Sequence, residues 1–249
     1  MYVCVTADIE RFSDAVSRYR CLHTADDMCA ARKLLDIFCD IDMPSTLFIL
    51  GKFAEEEPHI MDIVRENGYE LASHGYSHVD LRTLPFSQLK KELSRSGKLF
   101  SSKGFRAPYY GFDKDMVAQL ELHFKYDSSL VPVRNTTKMV LTIHMLTDLL
   151  MEIPISTVGV VPLTSMSLRL FPLPVVKGLA RFVLKRDGYL VVNVHPWELC
   201  EVPHVAVPFY VKMNTGPRFA KKISEFLTFL KRTGAEFVTM EQIYEYYRY

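Results

Sequence analysis

Apolar and polar positions follow two rhythms along this chain. Short runs rich in β-branched, aliphatic and aromatic residues predict strands at 2–8 (YVCVTAD), 45–50 (STLFIL), 69–75 (YELASHG), 104–110 (GFRAPYY), 124–130 (FKYDSSL), 150–156 (LMEIPIS), 189–199 (YLVVNVHPWEL) and 235–240 (AEFVTM). Between them, apolar residues recurring every three or four positions predict helices at 30–43, 57–68, 85–100, 113–123, 176–188 and 217–234. Several ends are marked: the first helix stops before Pro44, Pro58 and Gly68 bracket the second, and Gly188 follows the fifth. Residues 131–150 predict a loop followed by an irregular helix. The aromatic tail EQIYEYYRY, 241–249, is expected to pack on the body of the fold or on another subunit.

Strands interleaved with amphipathic helices imply parallel strands joined by crossover helices. Seven or eight such units suit an α/β chain closed as a (β/α)7–8 barrel better than an open sheet. No Pro/Gly/Ser-rich linker divides the chain, so residues 1–249 are expected to form one domain.

Composition narrows the function. The chain carries 30 Lys and Arg against 29 Asp and Glu, a net charge of +1, which gives no electrostatic basis for binding nucleic acid. The five cysteines, Cys4, Cys21, Cys29, Cys39 and Cys200, are odd in number and form no CxxC, which points to a reducing compartment. The segment MYVCVTADIE lacks the basic and apolar regions of a signal peptide, and no apolar run reaches the ~20 residues of a membrane span. The stretch 152–163, EIPISTVGVVPL, has prolines and a glycine that suit strand and loop. A cytoplasmic protein with no transmembrane segment is the expectation; oligomeric state is left open.

In a barrel, chemistry gathers at the C-terminal ends of the strands. Unusual polar residues fall there repeatedly: Asp8 and Glu10, His74 and His78, Arg106, Asp127 and His195. His74 and His78, in SHGYSH, supply two metal ligands if Gly75 lets the chain turn tightly. Catalytic zinc favours three ligands that mix imidazole with carboxylate, and Asp8 and Glu10, two apart on a strand, share one face. Their mutual repulsion calls for a cation, either a metal or Arg106. His195, at the tip of a very apolar strand, is the side chain suited to proton transfer near neutral pH. Trp197 reads either as core or as the floor of a sugar pocket. The remaining histidines, among them His23 and His204, lack such settings and read as surface or structural.

The ordered motifs TADIE, SHGYSH, FRAPYY, YDSS and VNVHPWEL resemble the polysaccharide deacetylase family, the NodB-homology or carbohydrate esterase 4 group, over roughly residues 2–245. The resemblance implies a distorted, NodB-like (β/α) barrel and metal-dependent removal of an N-acetyl or similar acyl group. It implies Asp8 as catalytic base, Glu10, His74 and His78 as metal ligands, Arg106 as the group orienting Asp8, the Tyr109 backbone N–H as an oxyanion donor, His195 as catalytic acid and Asp127 as the acid tuning His195. Zn²⁺ is the first choice of metal, with Co²⁺, Mn²⁺ and Ni²⁺ as alternatives. The first motif departs from the family's T-F-D-D. Ile9 stands at the second Asp position, so Glu10 must serve as the metal carboxylate, and Arg11 replaces a commonly acidic residue. Val194 stands where leucine is usual. The substrate expected is an N-acetylated amino sugar, free or as a sugar-lipid or sugar-nucleotide. The alternatives are a small cyclic amide or ureide, or a catalytically silent sugar-binding module.

Overall fold

Strand β1 (Tyr2–Ile9) is covered on both faces, which is why its sequence reads as a nearly continuous apolar run rather than a strict alternation. The computed structural model describes residues 1–19, 26–131, 142–202 and 207–248. From β1 the sheet proceeds in parallel through β2 (Thr46–Ile49), β3 (Glu70–Ser73), β4 (Gly104–Phe105) and β5 (Tyr126–Asp127). After β6 (His144–Met145), β7 (Met151–Glu152) adds parallel to β5, while β6 itself pairs antiparallel with β7. A separate hairpin, β8 (Thr157–Val158) and β9 (Val161–Pro162), follows. Strand β10 (Tyr189–Val194) runs parallel to the other edge of β1, and the short β11 (Glu236–Phe237) joins the start of β1. Residues after β7 swing back to β10. There Ser156 N donates to Val191 O (3.1 Å) and Val191 N donates to Ser156 Oγ (2.9 Å). The sheet therefore curls onto itself as a distorted barrel.

The helices are α1 (Phe12–Ala15), α2 (Asp27–Ile41), α3 (Gly51–Glu56), α4 (His59–Glu66), α5 (Phe86–Phe100), α6 (Val117–Leu120), α7 (Ser165–Leu170), α8 (Leu173–Asp187), α9 (Phe209–Lys212), α10 (Pro217–Lys231) and α11 (Met240–Tyr247). Alternation in β1 splits the core. Val3, Val5, Ala7 and Ile9 face outward against α2, α8 and α10, whereas Cys4 joins Phe48, Tyr126, Met151, Ile153 and Val191 inside the curl. Each fully buried aliphatic or aromatic side chain contributes about 1.5–3 kcal/mol. Helix α11 plugs the end of the barrel opposite the strand tips. Ile243 lies in the interior cluster, and Tyr244, Tyr246 and Tyr247 stack against Tyr126, Tyr2 and Tyr189. The tail thus packs on the barrel.

Two predicted helices differ, and the strands predicted at 104–110 and 124–130 shorten to β4 and β5. The 113–123 helix shrinks to a 3-10 turn, Lys114–Met116, and the four-residue α6. The irregular helix expected within 131–150 does not form in its described part, 142–150, which holds β6 and turns. The Thr147 hydroxyl accepts from the backbone N–H groups of Leu149 (3.2 Å) and Leu150 (3.1 Å), a local alternative to helical bonding. Residues 132–141, Cys21, His23 and His204 lie outside the described residues.

Candidate active site

The strand register collects the polar residues. Ile9, Ile49, Ser73, Phe105, Asp127 and Glu152 are successive partners across β1, β2, β3, β4, β5 and β7. One residue further along β1, β3 and β4 stand Glu10, His74 and Arg106 at one level of the rim, with Leu50, following β2, between the first two. Ala7 is paired with Val194, so Asp8 and His195 also meet at one level. Period-two alternation sends Thr6, Asp8 and Glu10 to the interior face, where water is excluded: Asp8 is 2% and Glu10 5% exposed.

Burying two carboxylates this close requires compensating positive charge. Arg106, fully buried, provides it for Asp8. Its Nη1 donates to Asp8 Oδ1 (2.8 Å), Asn193 Oδ1 (2.7 Å) and Thr6 Oγ1 (2.9 Å). Its Nε and Nη2 donate to Ser128 O (3.1 Å) and Oγ (2.9 Å), and its guanidinium lies 4.0 Å from the Phe48 ring centre. Asn193 Nδ2 donates to the other Asp8 oxygen (2.9 Å). Burial alone would raise the Asp8 pKa, but Arg106, helped by His195, holds the carboxyl well below the usual range. Asp8 is an ionised, immobilised carboxylate.

Glu10 has a different partner set. Its Oε2 lies against His78 Nε2 and 3.5 Å from His74 Nε2, yet it has no hydrogen-bond partner. Its burial is likewise offset by positive charge, chiefly that of His78, which keeps the carboxyl below its ordinary pKa. His74 Nδ1–H donates to the Arg106 carbonyl (3.0 Å), which fixes the tautomer and leaves the Nε2 lone pair pointing at Glu10. Ligand atoms of Glu10, His74 and His78 lie within 4.8 Å of one another. One carboxylate and two imidazoles, converging and short of hydrogen bonds, fit a divalent cation. The loop that brings His78 back after His74 depends on left-handed backbone at Gly75 (φ 75°) and at His78 itself (φ 55°). Tyr109 (φ 58°) and Tyr110 (φ 55°) share that conformation, and the Tyr109 ring packs on the His78 ring with centroids 4.5 Å apart. Three adjacent non-glycine residues held left-handed store backbone strain at the rim.

His195 faces the carboxylates from the tip of the neighbouring strand β10. Its Nε2 is 3.5 Å from Asp8 Oδ2 and 3.9 Å from Glu10 Oε1. Its Nδ1 is 3.1 Å from Ser165 Oγ and 3.7 Å from Glu198 Oε1. Burial would lower the imidazole pKa, but hydrogen bonding to Asp8 and Glu198 pushes it up to about 10, so the ring is a proton donor at neutral pH. Glu198 is held in turn by Arg169 Nη2 (3.4 Å). A cleft opens above these groups, bounded by Val16, Tyr19, Tyr109, Met166, Trp197 and Tyr210. The indole of Trp197 lies 5.9 Å from the His195 ring, and its edge meets Phe12.

Asp127 is not in this constellation, and its expected role is corrected. Tyr126 points into the barrel, so alternation turns Asp127 to the outer face, where it accepts from Ser129 Oγ (2.6 Å) and pairs across the register with Glu152. Glu198, three residues after His195 in HPWEL, occupies the position assigned to Asp127. Other participants that sequence reasoning missed are Asn193, Thr6, Ser165 and Arg169. Asn193 had a signal, being a polar residue in an apolar strand two positions before His195, on the same face. Ser165 and Arg169 had none, because α7 reaches the site from a distant part of the chain.

Two family models cover most of the chain. Polysaccharide deacetylase matches residues 17–125, and a domain of unknown function, DUF3473, matches residues 127–245. Over residues 17–125 the chain is similar to the polysaccharide deacetylase family. The first match begins beyond β1, the strand in which TADIE departs from the usual motif, and the barrel sheet runs through both matched segments. Among curated deacetylases, the chain is 37% identical over 92 residues to the peptidoglycan deacetylase-like protein FGM2 of Gibberella zeae, covering 34% of this chain and 27% of that protein. It is 30% identical over 106 residues to the peptidoglycan deacetylase of Helicobacter pylori, covering 40% and 36%. The match thus spans about a third of the length of these relatives. A crystal structure from Mycobacterium smegmatis, provisionally classed as a polysaccharide deacetylase, superposes with a TM-score of 0.70 at 22% identity over 99% of this chain and 90% of that one. The Puue allantoinase structure superposes with a TM-score of 0.68 at 12% identity, covering 99% and 89%. These likenesses at low identity concern the fold alone.

Proposed function

We propose that residues 1–249 act as one catalytic domain, a metal-dependent hydrolase that removes an N-acetyl group from an amino sugar, free or carried on a lipid or nucleotide. The observation that carries the reading is the convergence of Glu10, His74 and His78 beside an ionised Asp8 and a protonated His195. Amides resist hydrolysis because water is a weak nucleophile and an amine anion a poor leaving group. Glu10, His74 and His78 would hold a divalent cation, with zinc the first choice, which supplies Lewis-acid polarisation when bound. Asp8, held by Arg106 and Asn193, accepts a proton from the attacking water. His195, positioned by Glu198 and Ser165, delivers a proton to the departing nitrogen. The Tyr109 N–H stands at the rim to donate to the developing oxyanion; one such donor typically contributes about 2.7–4 kcal/mol. Trp197 and the rim tyrosines offer aromatic faces to a sugar ring.

The test is elemental analysis of the purified protein, followed by acetate release from N-acetylated amino sugars and turnover of cyclic amides and ureides in parallel. One equivalent of divalent metal with acetate release is expected. Turnover of ureides alone replaces the substrate assignment, and sugar binding without acetate release under any divalent metal makes the chain a silent binding module.

A further inference from the structure

The apolar side chains left at the surface are unevenly placed. Fifteen large hydrophobic residues are exposed among the described residues, and seven of them fall in two segments, 160–175 and 207–222. Val160 and Phe209 are each 70% exposed, and Leu170 and Phe171 39% and 37%. The same two segments, 32 residues together, contain five Lys and Arg and no Asp or Glu, in a chain with 29 acidic residues. Of the five cations, Arg218, Lys221 and Lys222 lie in the first turns of α10 and Lys212 ends α9.

The segments form one face. Arg169 Nη1 donates to the carbonyls of Tyr210 (3.2 Å), Val211 (3.2 Å) and Met213 (2.6 Å), and Asn214 Nδ2 donates to Arg169 O (3.0 Å). Lys222 Nζ donates to Phe171 O (2.6 Å), fastening the end of α7 to α10. This face borders the site, since Met166 and Tyr210 line the cleft. The opposite lip, at Ala15–Tyr19, carries the single cation Arg18 and adjoins Asp14, paired with Arg11, and, through the Phe12 N–H, Asp27, so the cationic apolar surface is concentrated on the other side of the mouth.

We propose that this face docks the mouth of the cleft on an anionic lipid bilayer, so that the enzyme works on an amino sugar held at the membrane by a lipid. Exposed aliphatic and aromatic side chains flanked by Lys and Arg, which outnumber the neighbouring carboxylates Glu201 and Glu225, match the boundary between acyl chains and anionic headgroups. No described helix is long and apolar enough to cross a membrane, so the association is peripheral. The proposal deepens the deacetylase reading by naming how its substrate is presented, and its test reads binding rather than turnover.

The full chain is sedimented with phosphatidylcholine vesicles and with vesicles that also contain phosphatidylglycerol. Association with the anionic vesicles is expected, weakened by high salt and by at least about tenfold in two double variants, Phe171→Ser with Phe209→Ser and Arg218→Glu with Lys221→Glu. Turnover of a soluble N-acetylated amino sugar and the thermal midpoint should stay near wild type. The charge variant, made on exposed residues, decides the matter if the phenylalanine variant loses stability. Failure of the wild type to sediment, equal sedimentation with both vesicles, or no effect of the charge variant overturns the proposal. Vesicle binding by a protein that releases no acetate would instead sink the deacetylase reading and leave the docking face standing.

Discussion

Two pairs of carboxylates are buried in the same sheet and meet opposite electrostatic fates. Asp8 and Glu10 point into the barrel, where Arg106 and three histidines surround them, and both stay ionised. Asp127 and Glu152 point outward from neighbouring strands, each 0% exposed, with no cation among their hydrogen-bond partners in the described residues. Burial pushes the Asp127 pKa up to about 6 and, with Asp127 beside it, raises that of Glu152 well above its ordinary value. One oxygen of each, Asp127 Oδ2 and Glu152 Oε2, has no hydrogen-bond donor from another group, which fits two carboxyls sharing a proton between them. Burial of acids is therefore no signature of catalysis by itself. What separates the pairs is the cation set, which the register delivers to one face of the sheet and not to the other.

The contrast can be broken most severely at its metal-ligand side. His74→Ala should abolish bound divalent metal, read by elemental analysis, together with activity; full metal occupancy in that variant would falsify the ligand assignment. His195→Ala should lower turnover by about 10²–10⁴-fold with metal content unchanged, the usual range for a general acid. An unaltered rate removes His195 from proton transfer. Arg106→Leu strands Asp8 as an uncompensated buried charge and should cost about 3–5 kcal/mol in urea unfolding. A loss near zero would mean that Asp8 is held by Asn193 and the histidines instead.

The outward pair gives the smallest and most discriminating effect. Carboxyls whose pKa is higher in the fold than in the unfolded chain favour the fold while protonated. For Asp127 that contribution is complete below about pH 4 and is lost as pH rises through about 6; Glu152 loses its share at higher pH still. Thermal midpoints of the wild type should therefore decline from mildly acid toward alkaline pH. Glu152→Gln keeps an oxygen for the Leu130 N–H, removes one acid, and should flatten that decline, gaining about 1–3 kcal/mol at pH 8. Parallel pH profiles for variant and wild type would show that the two carboxyls do not share a proton.

Much of this arrangement was legible in the residues. The parallel barrel followed from apolar strands interleaved with amphipathic helices, and the grouping of Asp8, Glu10, His74, Arg106 and His195 followed from polar residues at strand tips. What was not legible depended on face and on distance. Asp127 sits in a two-residue strand, too short for alternation to reveal which way it points. Glu198 hid inside HPWEL because a 3-10 turn, Pro196–Leu199, carries its carboxylate back toward His195. Ser165 and Arg169 are brought in by tertiary packing of α7, which leaves no local pattern.

The strands that set Glu10, His74 and Arg106 at one level also make the chemistry indivisible. The proposed proton acceptor, Asp8, comes from the first strand and the proposed donor, His195, follows the tenth, while the imidazole pair sits between them in sequence. A break near residue 126 would leave a fragment with a cation cradle and no acid, and another with an acid and no cradle. Neither of the two homology segments holds the whole constellation, and Asp8 and Glu10 precede both, so inheritance of the proposed activity requires β1 and both segments to travel together.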